Sequence, residues 1–359
     1  MGKLQRVLIM AGGTGGHVFP GLAVAKRLQE QGVQVDWLGT HKGLEARLVP
    51  EAGIPIHFIT ISGLRGKGWK DLLLAPWRLT LAINQSIRII RELNPDVVLG
   101  MGGFASGPGG IACWLLRRPL VIHEQNAKPG LTNKWLARFA KKILEGFPGT
   151  FARSAKVATV GNPVRDEIAQ LPAPEKMKET SRPLHLLVVG GSLGAAAINQ
   201  LVPRALAKMP AVDRPLVYHQ TGEKHLADTL NAYTEFGVEA EVKPFIVEMD
   251  KAYAWADIVL CRAGALTIAE LCAAGLGAIL VPFPHAADDH QTANADFMVK
   301  HQAAYLIQQA ALTEDGLVEL IKQLSTSPAK CLAMAQAAYQ LRKVDAAEKV
   351  LMICEEICH

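Results

Sequence analysis

The stretch AGGTGGH, residues 11–17, packs four glycines, a threonine and a histidine into seven positions. Ahead of it Arg6–Met10 (RVLIM) is a short apolar run of strand formers. Behind it Gly21–Gln29 (GLAVAKRLQ) carries apolar residues at helical spacing, with Lys26 and Arg27 on the other side. A strand-to-helix loop stripped of side chains permits positive φ and close backbone approach, and the free N–H groups at the helix start suit an anion such as phosphate. His17 ends the loop. An imidazole changes protonation near neutral pH and can take a proton from an attacking hydroxyl, although a histidine beside a turn can equally serve only to satisfy backbone groups. A dinucleotide site fits poorly. Counting GxGxxG from Gly13 puts Val18 at the third glycine, and the next apolar run, Val33–Gly39 (VQVDWLG), has Asp36 in its middle rather than at its end, where it would reach a ribose.

Other segments repeat this design. GMGGFASGPGG (100–110) follows the run Asp96–Gly100, and GGSLGA (190–195) follows Leu184–Gly190 and precedes a helical pattern over Ala196–Lys208. Pro119–Glu124 (PLVIHE) ends on Glu124, a second candidate base, and leads to a helical pattern over Gly130–Lys142. After Ile258–Leu260, the helix start RAGALTIAE (262–270) offers small residues and a hydroxyl for phosphate, then Glu270 one turn on for a ribose diol; Arg262 and Glu270 also fit as ordinary surface charges. Alternating strands and helices predict an α/β protein with parallel sheets covered on both faces.

The pattern restarts at Leu184, so two doubly wound, Rossmann-like domains are expected: residues 1–160 and 184–340, joined by the proline- and charge-rich linker 161–183. They are expected to face each other across a cleft at the carboxyl ends of both sheets, where the glycine loops lie. A last helix, roughly Pro328–Ile357, could pack on either domain, and residues 341–359 are candidates to return to the first.

With 359 residues, half of them hydrophobic, the chain can bury two cores. A net charge of +5 does not point to nucleic acid and suits anionic lipid or phosphorylated substrates. Six cysteines without paired spacing read as buried thiols of a reducing compartment, and the closing Cys354-x-x-x-Cys358-His359 reads as a frayed terminal helix in preference to a metal pair. No secretory signal and no unbroken apolar run of membrane-spanning length are present, which predicts a cytosolic protein touching membranes only from their surface. Gly63–Ile90 has the composition of such a contact: Arg65, Lys67, Lys70, Arg78 and Arg88 interleave with Trp69, Leu73 and Trp77. A core helix with solvated basic residues is the alternative.

Together AGGTGGHVFPGLAVA, ISGLRGKG (61–68), LGMGGFASGPGG, HEQNAKPGLTNKWLA (123–137), GNPVR, VVGGSLGA, AYAWADIVLCRAGALTIAEL (252–271) and DDHQTANA (288–295) resemble, in order and spacing, the N-acetylglucosaminyltransferases of peptidoglycan synthesis in glycosyltransferase family 28. The resemblance runs almost end to end. It implies a GT-B fold and a peripheral enzyme at the cytoplasmic face of the bacterial inner membrane, with anionic lipids and proteins of cell-wall synthesis, cell shape and division as candidate partners. The implied reaction moves GlcNAc from UDP-GlcNAc to O4 of the MurNAc in undecaprenyl-pyrophosphoryl-MurNAc-pentapeptide (lipid I), inverting the anomeric centre to make lipid II.

Carried over, the resemblance assigns Thr14, Gly15, Gly16 and Asn126 to the donor sugar and its surroundings, and Arg165 and Ser192 to donor phosphate and nucleotide. It gives the reading of uracil to the backbone of Ile246. Pyrophosphate and ribose go to the helix start Ala265, Leu266, Thr267, Ile268, Ala269 and Glu270, and the sugar hydroxyls to Gln291. Gly103, Phe104, Ser106 and Gly107 form the acceptor loop. Leu193 stands where many relatives have glutamine, and Phe104 where a tyrosine is often seen, so side-chain hydrogen bonds there are not carried over. No Asp-x-Asp motif occurs, so no metal or other cofactor is required by the sequence; stimulation by Mg²⁺ stays open. Helix N-termini, Arg165 and Arg262 can stabilise a leaving UDP. His17 is the expected general base and Glu124 its rival.

Overall fold

The computed structural model describes residues 3–61, 69–175, 182–191 and 194–358. The chain divides into two compact units, Met1–Val164 with Val344–His359, and Arg165–Lys343.

The first unit is a seven-stranded parallel sheet: β1 Arg6–Ala11, β2 Gln34–Gly39, β3 Ile56–Phe58, β4 Val97–Gly102, β5 Leu120–Glu124, β6 Lys142–Glu145 and β7 Val157–Thr159, in the order β3-β2-β1-β4-β5-β6-β7. Its helices are α1 Gly15–Glu30, α2 Glu45–Glu51, α3 Trp69–Leu93, α4 Ser106–Leu115 and α5 Leu131–Leu136. The apolar runs β1, β4 and β5 are buried on both faces, as a parallel sheet covered by helices requires. The side chains of β1 alternate between two cores: Val7, Ile9 and Ala11 join one, Leu8 and Met10 the other. The expected helix over 130–142 stops at Leu136, because Lys142 already starts β6, where Ile143 and Leu144 are buried.

The second unit repeats the plan with β8 His185–Val189, β9 Leu216–Gln220, β10 Glu241–Lys243, β11 Ile258–Cys261, β12 Gly277–Leu280 and β13 Ala304–Leu306, in the order β10-β9-β8-β11-β12-β13. Its helices are α6 Asp166–Ala169, α7 Ala196–Ala207, α8 Leu226–Glu235, α9 Met249–Trp255, α10 Ala265–Ala274, α11 His290–Lys300, α12 Glu314–Ser325 and α13 Pro328–Gln340. Residues from Arg165 onward, in the stretch expected as a linker, group with this unit, and α6 packs on α10 there; 176–181 lie outside the described residues.

The single terminal helix expected over 328–357 is two. After α13, which packs on α10 and β12, a break precedes α14 Ala346–Ile357, which packs on α1 in the first unit. Ala347, Val350, Cys354 and Ile357 enter that unit's core, and Glu348 meets Arg27 at 3.1 Å. This helix is therefore docked, not frayed. Burial pushes the Cys354 thiol up to about 12, so it stays protonated; His359 lies outside the described residues.

A buried polar cluster ties the second sheet to its helices. Asn199 on α7 donates through Nδ2 to the Thr221 carbonyl, which leaves its Oδ1 to accept from His219 Nε2 at 3.1 Å, while His219 Nδ1 lies 2.9 Å from the Tyr233 hydroxyl. Burial pushes His219 down to about 3. The unfolded chain binds a proton there below about pH 6.5 and the folded chain does not, so stability falls as pH drops from 6.5 toward 3, by up to about 1.4 kcal/mol per unit. Urea unfolding at pH 7.5 and 5.5 should show this loss in the parent and a smaller one in His219→Gln; equal pH dependence in the two would refute it.

Candidate functional site

In each sheet the order reverses at one place, between β1 and β4 in the first unit and between β8 and β11 in the second. Loops leaving the carboxyl ends of such strands diverge and open a crevice. The glycine loops sit at these two points.

In the first unit the β1–β4 register shifts between Met10 and Ala11, and the β4 loop turns through Gly102 (φ 104°) and Gly103 (φ 84°). A Cβ on Gly103 would lie 2.1 Å from the Gly12 carbonyl oxygen, and one on Gly102 2.8 Å from His17 Nδ1. A Cβ on Gly12 would strike the buried Glu45 carboxylate at 2.5 Å. Glu45 accepts from the Gly13 amide (2.9 Å) and from the Thr40 amide (3.0 Å) and hydroxyl (2.8 Å), so α2 carries the carboxylate that holds the β1 loop. These glycines serve protein-to-protein approach. Gly13 and Gly16 do not: a Cβ on Gly13 meets nothing within 4 Å, and on Gly16 only the Thr14 hydroxyl at 3.7 Å. Thr14 is the N-cap of α1, exposed and making no side-chain cap bond, and the first turn holds no acid. Gly15 is covered by the ring of Phe19.

His17 Nδ1 lies 2.8 Å from Gln125 Oε1. Among the described residues its Nε2 has no hydrogen-bond partner. Glu124 is buried and saturated. Its Oε1 accepts from the Asn126 amide (3.0 Å) and Nδ2 (3.2 Å), and its Oε2 from the Gly130 amide (3.0 Å) and Asn133 Nδ2 (2.9 Å), which accounts for four lone-pair sites and leaves none for a substrate proton. Ser106 also points inward: its hydroxyl lies 2.9 Å from the Met10 carbonyl, accepts from the Gly102 amide at 3.1 Å and is fully buried. It braces the loop and cannot touch an acceptor. Phe104 is exposed, and Gly107 lies in the first turn of α4.

In the second unit Gly190 and Gly194 again allow close approach, with a Cβ on Gly194 falling 2.2 Å from the Thr221 carbonyl oxygen; Ser192 and Leu193 lie outside the described residues. α10 begins at β11's carboxyl end with Gly264 as N-cap, and the amides of Ala265, Leu266 and Thr267 have no acceptor within the helix. Ala265 and Ile268 are buried, so they can offer a ligand only backbone; Leu266, Thr267 and Ala269 are half-buried. Glu270 accepts from Arg165 Nη2 at 2.9 Å and from the Tyr253 hydroxyl at 3.0 Å. Two predicted donor residues thus meet, and Tyr253 joins them. Burial is the chief cause raising the Tyr253 hydroxyl's pKa, so it remains a donor.

Arg262 is not a surface charge. Its guanidinium donates to the carbonyls of Val281 and Pro282 (both 3.2 Å) and to Gln309 Oε1 (2.6 Å), and burial lowers its pKa. Gln291 Oε1 accepts from the adjacent Phe283 amide at 2.8 Å. The Ile246 amide, expected at uracil, donates to Gln220 Oε1 at 3.0 Å, and the Ile246 side chain is buried. Reasoning from sequence missed Gln125, Gln220 and Tyr253. Gln125 stood inside the HEQN motif and Tyr253 inside AYAWAD, but a neutral amide and a core-spaced tyrosine carry no signal of their own.

Among the described residues no helix is long and apolar enough to cross a membrane. On α3, Trp77 is 71% exposed and Leu74, Leu79 and Leu81 are exposed beside half-buried Arg78. Arg88 is paired with Glu92 at 2.8 Å. Residues 62–68, with Arg65 and Lys67, and the side chains of Trp69, Lys70 and Leu73 lie outside the described residues. α4, which packs on α3, adds exposed Trp114 and Leu115, and on α5 Trp135 is exposed with Arg138 stacked 4.6 Å over its ring.

Two doubly wound units with glycine loops at both switch points have the architecture of GT-B glycosyltransferases, and the chain is of that class. A crystal structure of Acinetobacter baumannii MurG matches with a TM-score of 0.86 and 41% identity, covering 98% of this chain and 99% of that one. Residues 7–145 match the glycosyltransferase family 28 N-terminal domain and residues 185–350 its C-terminal domain. A UDP-N-acetylglucosamine--N-acetylmuramyl-(pentapeptide) pyrophosphoryl-undecaprenol N-acetylglucosamine transferase of Marinobacter nauticus is 56% identical over 98% of this chain and 97% of its own. The chain belongs to glycosyltransferase family 28. A UDP-N-acetylglucosamine 2-epimerase covers 97% of this chain and 95% of its own at TM-score 0.66 but 13% identity, a likeness of fold alone.

The two sets of glycines are separable by experiment. Gly103→Ala should cost at least about 1–3 kcal/mol, from positive φ and a carbonyl that cannot move aside. Gly16→Ala should leave stability unchanged or raise it by about 0.5 kcal/mol, since it adds a methyl in a helical turn facing open space. Thermal unfolding of both variants checks this, and equal losses would contradict it.

Proposed function

We propose that this protein transfers GlcNAc from UDP-GlcNAc to O4 of MurNAc in undecaprenyl-pyrophosphoryl-MurNAc-pentapeptide, inverting the anomeric centre and yielding lipid II, the last cytoplasmic step of peptidoglycan precursor synthesis. The observation that carries this reading is the complementary chemistry of the two switch points. The first unit offers an imidazole nitrogen that has no partner among the described residues, in the same loop as the open backbone of Gly13 and Gly16. The second offers a helix start, a guanidinium and a carboxylate suited to pyrophosphate and ribose.

In this reading His17 Nε2 accepts the proton of the O4 hydroxyl as that oxygen attacks C1 of the donor sugar from the face opposite the UDP. Glu124 is not the base: with its lone pairs taken, it shapes the loop that presents Asn126 to the sugar. Charge developing on the departing UDP is met by the α10 amides and by Arg165, which exchanges Glu270 for phosphate; Glu270, oriented by Tyr253, then takes the ribose diol. The Ile246 carbonyl can accept from uracil, while its amide becomes available only if Gln220 turns away. Thr14, Gly15, Gly16 and Gln291 contribute around the sugar, Ser192 near the nucleotide, and Gly103, Phe104 and Gly107 along the acceptor.

The protein works at the cytoplasmic face of the inner membrane, in the supply line for cell shape and division. The exposed tryptophans and leucines of α3 and α4, with their basic neighbours, support its resting on anionic lipid. Purified protein given UDP-GlcNAc labelled in the sugar and a short-chain lipid I analogue should move label into the lipid product, releasing UDP only when acceptor is present. A label left in water as a C2 epimer, or merely bound, would overturn the assignment. His17→Ala should lower kcat by roughly 10²- to 10⁴-fold with KM for UDP-GlcNAc within about threefold, and retention of kcat within a few-fold would move the base elsewhere. Trp77→Ser combined with Trp114→Ser should weaken salt-sensitive binding to vesicles of anionic phospholipid several-fold; unchanged flotation would count against the membrane face.

A further inference from the structure

Behind His17 runs a chain of three buried groups that the proposed reaction does not touch. His123 Nε2 lies 2.9 Å from the Gly161 carbonyl oxygen, His123 Nδ1 lies 3.0 Å from Gln125 Nε2, and Gln125 Oε1 lies 2.8 Å from His17 Nδ1. His123 and Gln125 are buried. The backbone around them is clamped as well, with Asn162 Nδ2 donating to the Gln125 carbonyl at 3.0 Å and Asn133 Nδ2 to the His123 carbonyl at 3.2 Å.

The chain has one polarity because it ends on a carbonyl. Gly161 O can only accept, so His123 Nε2 must carry a proton. Burial lowers the pKa of His123 and keeps the ring neutral, so its Nδ1 holds a lone pair and accepts from the Gln125 amide nitrogen. That nitrogen is also within 3.3 Å of the His123 carbonyl, a second acceptor that fixes which end of the amide faces inward. Gln125 must then present its oxygen to His17, and His17 must donate from Nδ1. Flipping the amide would set Gln125 nitrogen toward His17 and force a proton onto His123 Nδ1, leaving a lone pair of Nε2 against the Gly161 carbonyl unless the buried ring became a cation.

We infer that Gln125 and His123 are positioning residues that hold His17 as its Nδ1–H tautomer, so that the lone pair of Nε2 is the one presented to the acceptor hydroxyl. A free neutral imidazole in water favours the opposite form, with the proton on Nε2, which cannot act as a base from that atom. The consequence for turnover rests on His17 being the base; the tautomer itself does not.

The experiment therefore reads the tautomer directly. In full-length protein labelled with ¹⁵N-histidine, the His17 signals are identified by their loss in His17→Ala. At a pH where the ring is neutral, Nε2, recognised by its coupling to both ring carbon-bound protons, should show the lone-pair type of shift and Nδ1 the protonated type. In Gln125→Leu, which keeps the bulk and removes both amide contacts, His17 should revert toward Nε2–H, and kcat should fall roughly 10- to 100-fold with KM for UDP-GlcNAc within about twofold. The parent spectrum alone decides the matter should that variant fail to fold. Nε2–H in the parent, or an Nδ1–H pattern that survives Gln125→Leu, would overturn the relay. An Nδ1–H pattern lost in Gln125→Leu would uphold it even if His17→Ala turned over normally, in which case only the base assignment would fall.

Discussion

Between β1 and β4 two loops approach until the backbone of Gly103 rests against the Gly12 carbonyl, with 2.1 Å left where a methyl would go. Much of the first unit's site follows from that contact. Gly102 and Gly103 take positive φ there, and the Ser106 hydroxyl bonds both strands, at Met10 of β1 and Gly102 of β4. Room remains beside Gly102 for the His17 ring, where even one added carbon would collide with Nδ1. A side chain at either glycine would push the loops apart, at Gly103 from the Gly12 carbonyl and at Gly12 from the Glu45 carboxylate.

Charge in the two units is handled differently. The first unit buries Glu45, Glu124 and Glu145 and satisfies each chiefly with backbone amides, hydroxyls and side-chain amides. A carboxylate accepting several such donors holds a loop firmly, because removing any donor leaves a buried anion less than solvated. The second unit also uses ion pairs, Arg165 with Glu270, Arg182 with Asp257 and Lys208 with Glu314 and Asp315. Arg165 rests on Glu270 at 2.9 Å while half exposed, so water reaches the guanidinium side of the pair. A carboxylate held by several fixed donors keeps its loop in one place, whereas a solvent-reached ion pair can re-pair.

The strands, the two-fold α/β plan and the glycine loops at strand ends were legible because parallel strands buried on both faces must be continuous apolar runs, and sharp turns must contain glycine. Family motifs named many of the residues near the two switch points. What could not be read was each residue's partner. Glu124 read as a candidate base and Ser106 as part of the acceptor loop, and both are bonded to surrounding loops, since whether a carboxylate or hydroxyl has a free lone pair depends on donors that the fold brings to it. Arg262 looked like a phosphate ligand or a surface charge and is bound to carbonyls of the segment after β12.

The sequence by itself determined the fold class, the family and the identity of His17 and Glu270 as candidates, because periodicity, turn chemistry and ordered motifs are local properties. Only the tertiary structure decided that the last helical stretch divides between two cores, that Tyr253 completes the Arg165–Glu270 pair, and that Gln125 and His123 stand behind His17. The physical reason is that hydrogen-bond polarity and lone-pair occupancy are properties of an assembled network. His17 and Gln125 are 108 positions apart, and His123 and Gly161 a further 38, so the proton on His17 is assigned only once the sheet has brought them together.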